Sequence, residues 1–289
     1  MRNQSRPFYG RRAALILSLV ATVVQPVIAG AQTPATVARD TTHAQTQAPF
    51  FTLKDAVLAG AFAVGTVAMF PLDKRLAIHL QNPGAQANKF FKDWSHNVEV
   101  ITSPGAYFIG GGLYAVGRIG GFERLADLGW HGTEAVILAD GITYVIKGIA
   151  GRERPFLSSG TQPGNWTPGK GFRSGDWSSF PSGHTTTAFA AAAAVTNETT
   201  RWWPRSVWVV GPIMYIGATS VGLSRMYHSR HWASDVVLGA AIGTFSGRKV
   251  VQYQHGHPGN RLDRIILGTS LTPDGHGGAR ISWTLPSPF

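Results

Sequence analysis

Six apolar segments rich in Ala and Gly follow one another through the middle of this chain of 289 residues. They cover residues 56–70, 98–116, 134–150, 185–195, 207–221 and 236–245. Their length, and the lack of sustained alternation between apolar and polar residues, favour helices over strands. Pro71, Pro104 and Gly151 are expected to interrupt or end them. The sequence therefore predicts an all-α fold, a bundle of about six core helices within residues 53–252.

The last part of the chain, residues 253–289, has a different pattern. Residues 279–285 alternate between apolar and polar side chains, and they follow a run of turn-forming residues at 273–278. Together with residues 265–271 this pattern predicts a β-hairpin. An isolated hairpin is marginally stable, so we expect it to pack against the helices.

The first 31 residues have the features of a secretory signal peptide. Four Arg precede an apolar run at 13–28, and small residues at 29–31 provide a cleavage site. Residues 32–52, rich in Thr, Ala and Gln, are expected to form a flexible tether. The predicted location is the cell envelope, on the outer side of the inner membrane (the periplasm). The alternative is an uncleaved membrane anchor.

The basic charge of the chain favours anionic partners. The net charge is +11, and about +7 remains without the four Arg of the first segment. No basic stripe is interleaved with aromatic residues, so nucleic acid is not an expected partner. The chain has no Cys, which excludes disulfides, Cys-bound zinc and thiol catalysis.

The apolar segments are short for membrane spans. They run for about 10 to 19 residues, whereas a span needs roughly 20. The mean hydropathy is +0.00, and Lys and Arg are divided equally between the two sides that six spans would create. We therefore expect a helical domain wholly outside the inner membrane that can dock on a membrane surface. An integral six-helix protein is the alternative.

The first of three short polar patterns ends the third apolar segment. Lys147 and Arg154 are seven residues apart, or about two helical turns, so both side chains can point to one side if the helix persists. Two converging cations suit an anion with several oxygens. Taken alone, two solvated charges would explain the pattern as well.

The second pattern is Pro181-Ser182-Gly183-His184, directly before an apolar segment. Pro and Ser favour a helix start, where free N–H groups can bind phosphate. Gly183 permits close approach of the backbone, and His184 can transfer a proton near neutral pH. A helix cap with an exposed His is the alternative.

The third pattern contains Ser224-Arg225, His231 and Asp235. His231 and Asp235 are four residues apart and are therefore neighbours on one helix face. A carboxylate beside a His can fix its tautomer, which makes His231 a candidate nucleophile. The alternative is a surface pair that contributes little to stability.

In order and spacing these patterns, K-x6-RP, PSGH and SR-x5-H-x3-D, resemble the complete three-part signature of the type 2 phosphatidic acid phosphatases. That superfamily also contains the bacterial class A acid phosphatases and the vanadium haloperoxidases. The resemblance covers residues 147–235. The signature positions are filled by Lys147, Arg154, Pro155, Ser182, Gly183, His184, Arg225, His231 and Asp235, and Pro181 and Ser224 match too.

The resemblance implies a helical bundle and a role for each matching residue. The phosphate oxygens would be held by Lys147, Arg154, Ser182, Gly183 and Arg225. His231 would attack phosphorus and form a phosphohistidine, and Asp235 would orient it. His184 would protonate the leaving oxygen and later activate water. Three cations can neutralise the transferred phosphoryl group, so no metal and no other cofactor is expected at this site.

The implied function is hydrolysis of phosphomonoesters or diphosphates. The residues from His231 onward look more like those of lipid phosphatases, so a phosphorylated lipid is the favoured partner. The signal peptide favours a soluble periplasmic acid phosphatase instead. A vanadium-dependent haloperoxidase and a non-catalytic phosphate-binding protein are weaker alternatives. The sequence does not select one phosphate ester.

Three further polar residues lie near the patterns. His228 is a candidate for substrate contact because it precedes His231 by three residues, and Arg230 is close by. Asp140 lies inside an apolar segment, where a carboxylate needs a partner. It either steadies Lys147 or makes a structural hydrogen bond.

Overall fold

The computed structural model describes residues 51–99, 102, 104–257, 269–273 and 279–283. Eight α-helices occupy these residues: α1 (Leu53–Leu80), α2 (Pro83–Ala87), α3 (Lys89–Glu99), α4 (Gly105–Gly120), α5 (Glu123–Ala150), α6 (Gly183–Trp202), α7 (Val207–Tyr227) and α8 (Ala233–Gly256). Short 3-10 helices lie at Pro155–Ser158, Lys170–Phe172, Gly175–Trp177 and Pro204–Ser206. The predicted all-α class is confirmed.

Two short strands are described in the tail, β1 (Thr269–Pro273) and β2 (Ala279–Trp283). They pair antiparallel, with Leu271 opposite Ile281. The connection at 274–278 lies outside the described residues, so the C-terminal hairpin stays a prediction. The signal peptide predicted at 1–31 and nearly all of the tether predicted at 32–52 also lie outside the described residues.

Helix α1 is much longer than the apolar pattern indicated. It starts at a capping box formed by Thr52 and Asp55 and runs for 28 residues, straight through Pro71. The prediction that Pro71 interrupts this segment was wrong. Proline removes one backbone hydrogen bond, but the next two turns bury Asp73 and Ala77, four residues apart, against the bundle. Tertiary contacts therefore carry the helix past the proline.

Other helix boundaries also differ from the predicted ones because of tertiary contacts. The segment predicted at 98–116 is divided between the end of α3 and α4, and Pro104 is the residue before α4. Helix α5 begins at Glu123, well before the apolar run at 134–150. Its early turns are helical because they are buried, with His131 and Leu125 in the interior.

The core of the bundle is built from small side chains. Helix α6 packs against α5, α7 and α8, and α8 also packs against α1 and α5. One buried cluster joins Ala135, Ala194 and Val251, and a second joins Val136, Ala139 and Ala190. The Ala-rich sequence of α6 allows its neighbours to approach closely.

Three glycines on α8 bring that helix into backbone contact with α6. Gly239, Gly243 and Gly247 are spaced by four residues and share one face. A Cβ atom on them would lie 2.6, 2.3 and 2.4 Å from backbone oxygens of α6 or its N-cap residue. No side chain fits at these positions, so the two backbones meet directly, as small-residue stripes allow.

Among the residues that the structure describes, two helical segments are long and apolar enough to cross a membrane, Leu53–Leu80 and Pro204–Tyr227. Only 11% and 22% of their apolar windows are buried inside the protein. Their exposed residues include Val64 and Val67 on α1 and Trp208 and Ile216 on α7. Apolar surface of this extent marks a membrane or partner contact, and it favours a membrane protein over a freely soluble bundle.

Candidate active site

The first pattern lies where α5 ends and the loop to α6 begins. Gly151 ends the helix in the left-handed conformation, at φ 58°, and a Cβ there would lie 1.8 Å from the carbonyl oxygen of Thr167. Lys147 in the last helical turn donates to the carbonyl of Ser178 over 2.6 Å. The glycine therefore turns the chain so that the loop comes back over Lys147.

Arg154 reaches the same place from the loop. Its guanidinium donates to the Ser178 hydroxyl at 3.1 Å and to the carbonyl of Gly175 at 2.7 Å. It also contacts the carbonyl of Ser178 at 3.4 Å, the group that Lys147 binds. Burial, together with the charges of Arg225 and Arg230, lowers the pKa of Arg154 to about 10. Lys147 and Arg154 therefore converge on the carbonyl of Ser178, as their spacing predicted.

The second pattern forms the N-terminus of α6. Ser182 is the N-cap and is fully buried, but its hydroxyl pairs with Thr185 at 2.8 Å and makes no capping bond to the backbone. The first N–H groups of α6 are thus left for another acceptor, such as an anion. Gly183 lies against Lys147, whose Cε would be 3.5 Å from a Cβ at that position.

His184 follows in the first turn of α6. Burial lowers its pKa to about 4, and the nearby charges of Arg225, Lys147 and Arg154 act in the same direction. With no anion between these cations, the imidazole is neutral at pH 7. The residues of the first two patterns therefore share one electrostatic environment with Arg225 of the third.

Arg225 lies in the last turn of α7 and is held by a residue outside the three patterns. Its Nη1 pairs with Glu99 of α3 at 2.7 Å, and Ser224 donates to the same carboxylate oxygen at 3.3 Å. The buried Nε of Arg225 has no hydrogen-bond partner in the described part of the chain. That N–H is a donor which a bound anion can use.

His231 has the tautomer that a nucleophile attacking through Nε2 requires. Its side chain is buried, and Nδ1 lies 2.7 Å from the carbonyl oxygen of Ser179, which can only accept a hydrogen bond, so Nδ1 carries the proton. Nε2 therefore carries the lone pair, with Nη1 of Arg154 3.4 Å away. Burial, and then the charges of the three cations, hold the pKa of His231 well below its usual range.

Asp235 does not make the direct bond to His231 that the spacing predicted. The closest carboxylate oxygen is 3.7 Å from His231 Nδ1. That oxygen accepts from the Ser179 hydroxyl at 2.5 Å and from the N–H of Trp232 at 2.8 Å. Asp235 thus accepts a hydrogen bond from the Ser179 hydroxyl, and the Ser179 carbonyl accepts one from Nδ1 of His231, so Asp235 is linked to His231 through Ser179.

Arg152 and Asp73 complete this arrangement, and sequence reasoning missed both. Arg152 is fully buried and pairs with Asp235 at 2.6 Å and with Asp73 at 2.7 Å. Asp73 also accepts from the backbone N–H and the hydroxyl of Ser234, at 2.9 and 2.6 Å. The guanidinium carbon lies within about 6 Å of four ring centroids, those of Phe70, Trp166, Phe180 and Trp232. The sequence signals were weak: Arg152 lies between Lys147 and Arg154 of the first pattern, and Asp73 is an acidic residue close after Pro71.

The remaining candidates lie beside residues outside the three patterns. Asp140 accepts from Tyr107 and Thr187 at 2.7 and 2.8 Å, so the structural reading of this carboxylate is supported. Nε2 of His228 is buried 3.7 Å from Glu99 and has no hydrogen-bond partner among the described residues, so its predicted contact with substrate stays a prediction. Arg230 lies over the ring of Phe156.

An anion bound among these cations should change the protonation of His184. It offsets the positive charges that lower the pKa, so the bound form takes up a proton between about pH 4 and the ordinary value of 6.5. We expect sulfate, which stays dianionic here, to bind more tightly as pH falls through this window, by up to about tenfold per unit. Calorimetric titration measures this, and His184→Gln should flatten the dependence. If the pH dependence of sulfate affinity is the same in His184→Gln, a group other than His184 takes up the proton.

Three cations and two histidines thus meet near the ends of four helices, an arrangement whose charge and free N–H groups can bind a tetrahedral oxyanion. Residues 129–257 match the family model of the PAP2 superfamily. All site residues of the three patterns lie in the matched segment.

Two known proteins are similar to parts of the chain. Lipid A 1-phosphatase of Porphyromonas gingivalis is 48% identical over 71 residues, which is 24% of this chain and 15% of that protein. The chain thus spans a small part of this relative's length. A solved structure of a transmembrane PAP2-type phosphatidylglycerolphosphate phosphatase from Bacillus subtilis is 19% identical, with a TM-score of 0.32, over 68% of this chain and 98% of that one.

Proposed function

We propose that the chain is a phosphatase that hydrolyses phosphomonoesters or diphosphates of lipids through a phosphohistidine. The observation that carries the proposal is the state of His231. Its Nδ1 is committed to the Ser179 carbonyl, and its Nε2 lone pair lies beside Arg154. Neutral imidazole next to cations that hold the phosphoryl oxygens is what in-line attack on phosphorus requires.

The proposed reaction has two steps. The phosphoryl oxygens bind to Lys147, Arg154, Arg225 and the N-terminus of α6. Nε2 of His231 forms a bond to phosphorus while the phosphorus–oxygen bond of the ester breaks, and protonated His184 gives its proton to the leaving oxygen. In the second step His184 takes a proton from water, the resulting hydroxide attacks phosphorus, and the phosphorus–nitrogen bond breaks to release phosphate.

A lipid substrate is favoured by where the site lies relative to the two apolar helices. Asp73 is late in α1 and Arg225 is in the last turn of α7, so both helices run toward the site with their apolar parts behind it. If these parts lie in a bilayer, the cations are at its surface, where the phosphate of a lipid headgroup is found. The relative that matches 71 residues acts, by its name, on a lipid phosphate.

A substrate panel tests the proposal. Purified protein in detergent should release phosphate from lipid phosphates, among them phosphatidate, phosphatidylglycerophosphate, an isoprenyl diphosphate and lipid A. It should act much more slowly on soluble esters such as p-nitrophenyl phosphate. Equal rates on both classes would favour a non-specific acid phosphatase, and no release from any of them would contradict the proposal.

The catalytic site is proposed to work without a metal. Its oxygen-binding groups are cations, and the carboxylate Asp235 is already bound to Arg152, Ser179 and Trp232. We expect turnover at 25 °C to persist in EDTA. Vanadate, which takes up the five-coordinate geometry of the transition state, should inhibit competitively. Loss of turnover in EDTA that Mg²⁺ restores would contradict this prediction.

We further propose that α1 and α7 span the inner membrane and that the site faces its outer side. Because α1 ends near the site, an outward site requires residue 51 to be on the inner side. A cleaved signal peptide would put that residue on the outer side, so this topology replaces the fully exported bundle expected from the sequence.

The absence of Cys makes this topology directly testable. A cysteine replacing Gln162, exposed in the loop beside the site, should react with a membrane-impermeant maleimide in intact spheroplasts. A cysteine replacing Lys54, exposed at the start of α1, should react only after permeabilisation. The protein should also resist carbonate extraction. Labelling of both cysteines in intact spheroplasts, with release by carbonate, would support the exported bundle instead.

A further inference from the structure

Two histidines and a glutamate meet far from the phosphate site, near the other end of the bundle. They are His131 in the early turns of α5, Glu198 late in α6 and His255 at the end of α8. His131 is 16 residues from Lys147 along α5, about 24 Å at the rise of an α-helix. The cluster is therefore separate from the catalytic groups, and none of its members belongs to the three sequence patterns.

The donor atoms of this cluster point at one another. Nδ1 of His131 lies 2.5 Å from one oxygen of Glu198, and Nε2 of His255 lies 2.9 Å from each of the two. One ligand atom from each residue falls within 4.8 Å of the others. The rings of the two histidines are edge to face, with centroids 5.2 Å apart. Three separate helices thus each supply one donor to the same small volume.

The charge of Glu198 requires compensation. Its side chain is fully buried, and a buried carboxylate is costly unless it is paired. The ion pairs found for it among the described residues are with His131 and His255, not with Lys or Arg. Two neutral imidazoles would leave a full negative charge in the interior. A divalent cation would neutralise that charge and use all three donors at once.

We propose that His131, Glu198 and His255 form a structural site for a divalent transition metal, with zinc as the favoured ion. Two imidazole nitrogens and one carboxylate oxygen are a donor set that zinc accepts, and water can complete a tetrahedron. Bonds of about 2.0 Å put tetrahedral donors about 3.3 Å apart, so binding replaces the present hydrogen bonds and widens the cluster slightly. His255 is partly exposed and gives the ion a path from solvent.

The site would act as a clamp on the fold. The three ligands belong to α5, α6 and α8; Lys147 and His184 lie at the opposite ends of α5 and α6, and His231 lies two residues before the start of α8. A metal fixes their spacing at the far end, and its binding energy adds to the stability of the folded state. Chelation is therefore expected to lower the melting temperature while turnover at 25 °C persists.

The test uses the purified full chain in detergent, with His257→Ala as the matched control. His257 lies two residues beyond His255 and stacks on Tyr253, outside the cluster. We expect about one zinc per chain by elemental analysis in the wild type and the control, and almost none in His255→Ala. After the metal has been removed with a chelator and the chelator removed, Zn²⁺ at about 100 times its Kd should raise Tm of the wild type by roughly 5 °C. Mg²⁺ should not raise it.

Glu198→Gln provides a second arm that keeps the size of the side chain. It should also lose the metal and the response of Tm to Zn²⁺. Two outcomes would overturn the proposal: a wild type that holds no zinc after growth and purification with the metal present, or equal Tm shifts with Zn²⁺ in the wild type, His255→Ala and Glu198→Gln. Either would identify the cluster as a hydrogen-bonded triad only.

Discussion

Replacement of His231 by Ala is expected to lower the rate of phosphate release by about 10⁴-fold or more. The loss is of that order when the nucleophile of a covalent mechanism is removed, because the remaining groups still bind and polarise the substrate. Lys147, Arg154 and Arg225 stay in place, so binding of vanadate or sulfate should survive. The measurement is phosphate release from a lipid phosphate in detergent micelles.

Trapping the phosphoenzyme distinguishes loss of the nucleophile in His231→Ala from damage to the fold. Rapid quench with substrate labelled at phosphorus should give a phosphoenzyme in the wild type that is stable to alkali and labile to acid, and none in His231→Ala. His79→Ala is the control, since His79 is exposed late in α1. Near-normal turnover in His231→Ala would mean that water attacks phosphorus directly, and the covalent mechanism would have to be abandoned.

Replacement of Arg152 by Gln is expected to cost stability and activity together. It leaves the carboxylates of Asp73 and Asp235 buried without their shared cation, and breaking a buried pair in this way costs about 3–5 kcal/mol. Asp235 then loses its bond to Arg152. Its carboxylate is held less firmly, and so are Ser179, which donates to it, and His231, which donates to the Ser179 carbonyl. We expect kcat to fall by roughly 10- to 100-fold, with KM little changed because Arg152 has no free donor for the phosphate.

A double variant distinguishes positioning from folding. Arg152→Gln combined with Asp73→Asn removes one buried charge with the cation, so most of the melting temperature should return while kcat stays low. Arg173→Gln is the control, because Arg173 is an exposed arginine in the same loop. If Arg152→Gln alone keeps wild-type kcat and Tm, Arg152 neither positions Asp235 nor stabilises the fold.

The residues of the three sequence patterns come together because they lie near the ends of helices that meet. Lys147 ends α5, His184 begins α6 and Arg225 ends α7, so a bundle brings them together. The supporting residues Asp73, Glu99 and Ser179 come from elements outside the patterns. Their partners are chosen by tertiary packing, which no spacing along the chain encodes.

Two features that differ from the sequence-based expectation, the hydrogen bonds of Asp235 and the course of the chain at Pro71, have the same physical origin. The spacing of four residues did bring Asp235 near His231, but Arg152, Ser179 and the N–H of Trp232 already occupy its oxygens. Pro71 has the local chemistry of a helix end, yet burial of Asp73 beyond it holds the helix together. Residue spacing correctly placed Asp235 near His231, and Pro71 does weaken a helix locally. In both places, contacts with other parts of the fold decided which bonds form.

The glycine stripe of α8 has a mechanical consequence for the enzyme at a membrane surface that we propose. With the backbones of α6 and α8 in contact, the separation of these helices is set by main-chain atoms, which hardly compress. The N–H of Ser182 also donates to the carbonyl of Asp235 at 2.9 Å, which ties the starts of the two helices together. Bilayers of different thickness can tilt α1 and α7. The distance between the N-terminus of α6 and Nε2 of His231 should nevertheless stay the same. Catalytic rate should therefore be nearly independent of lipid chain length, although access of the lipid to the site need not be.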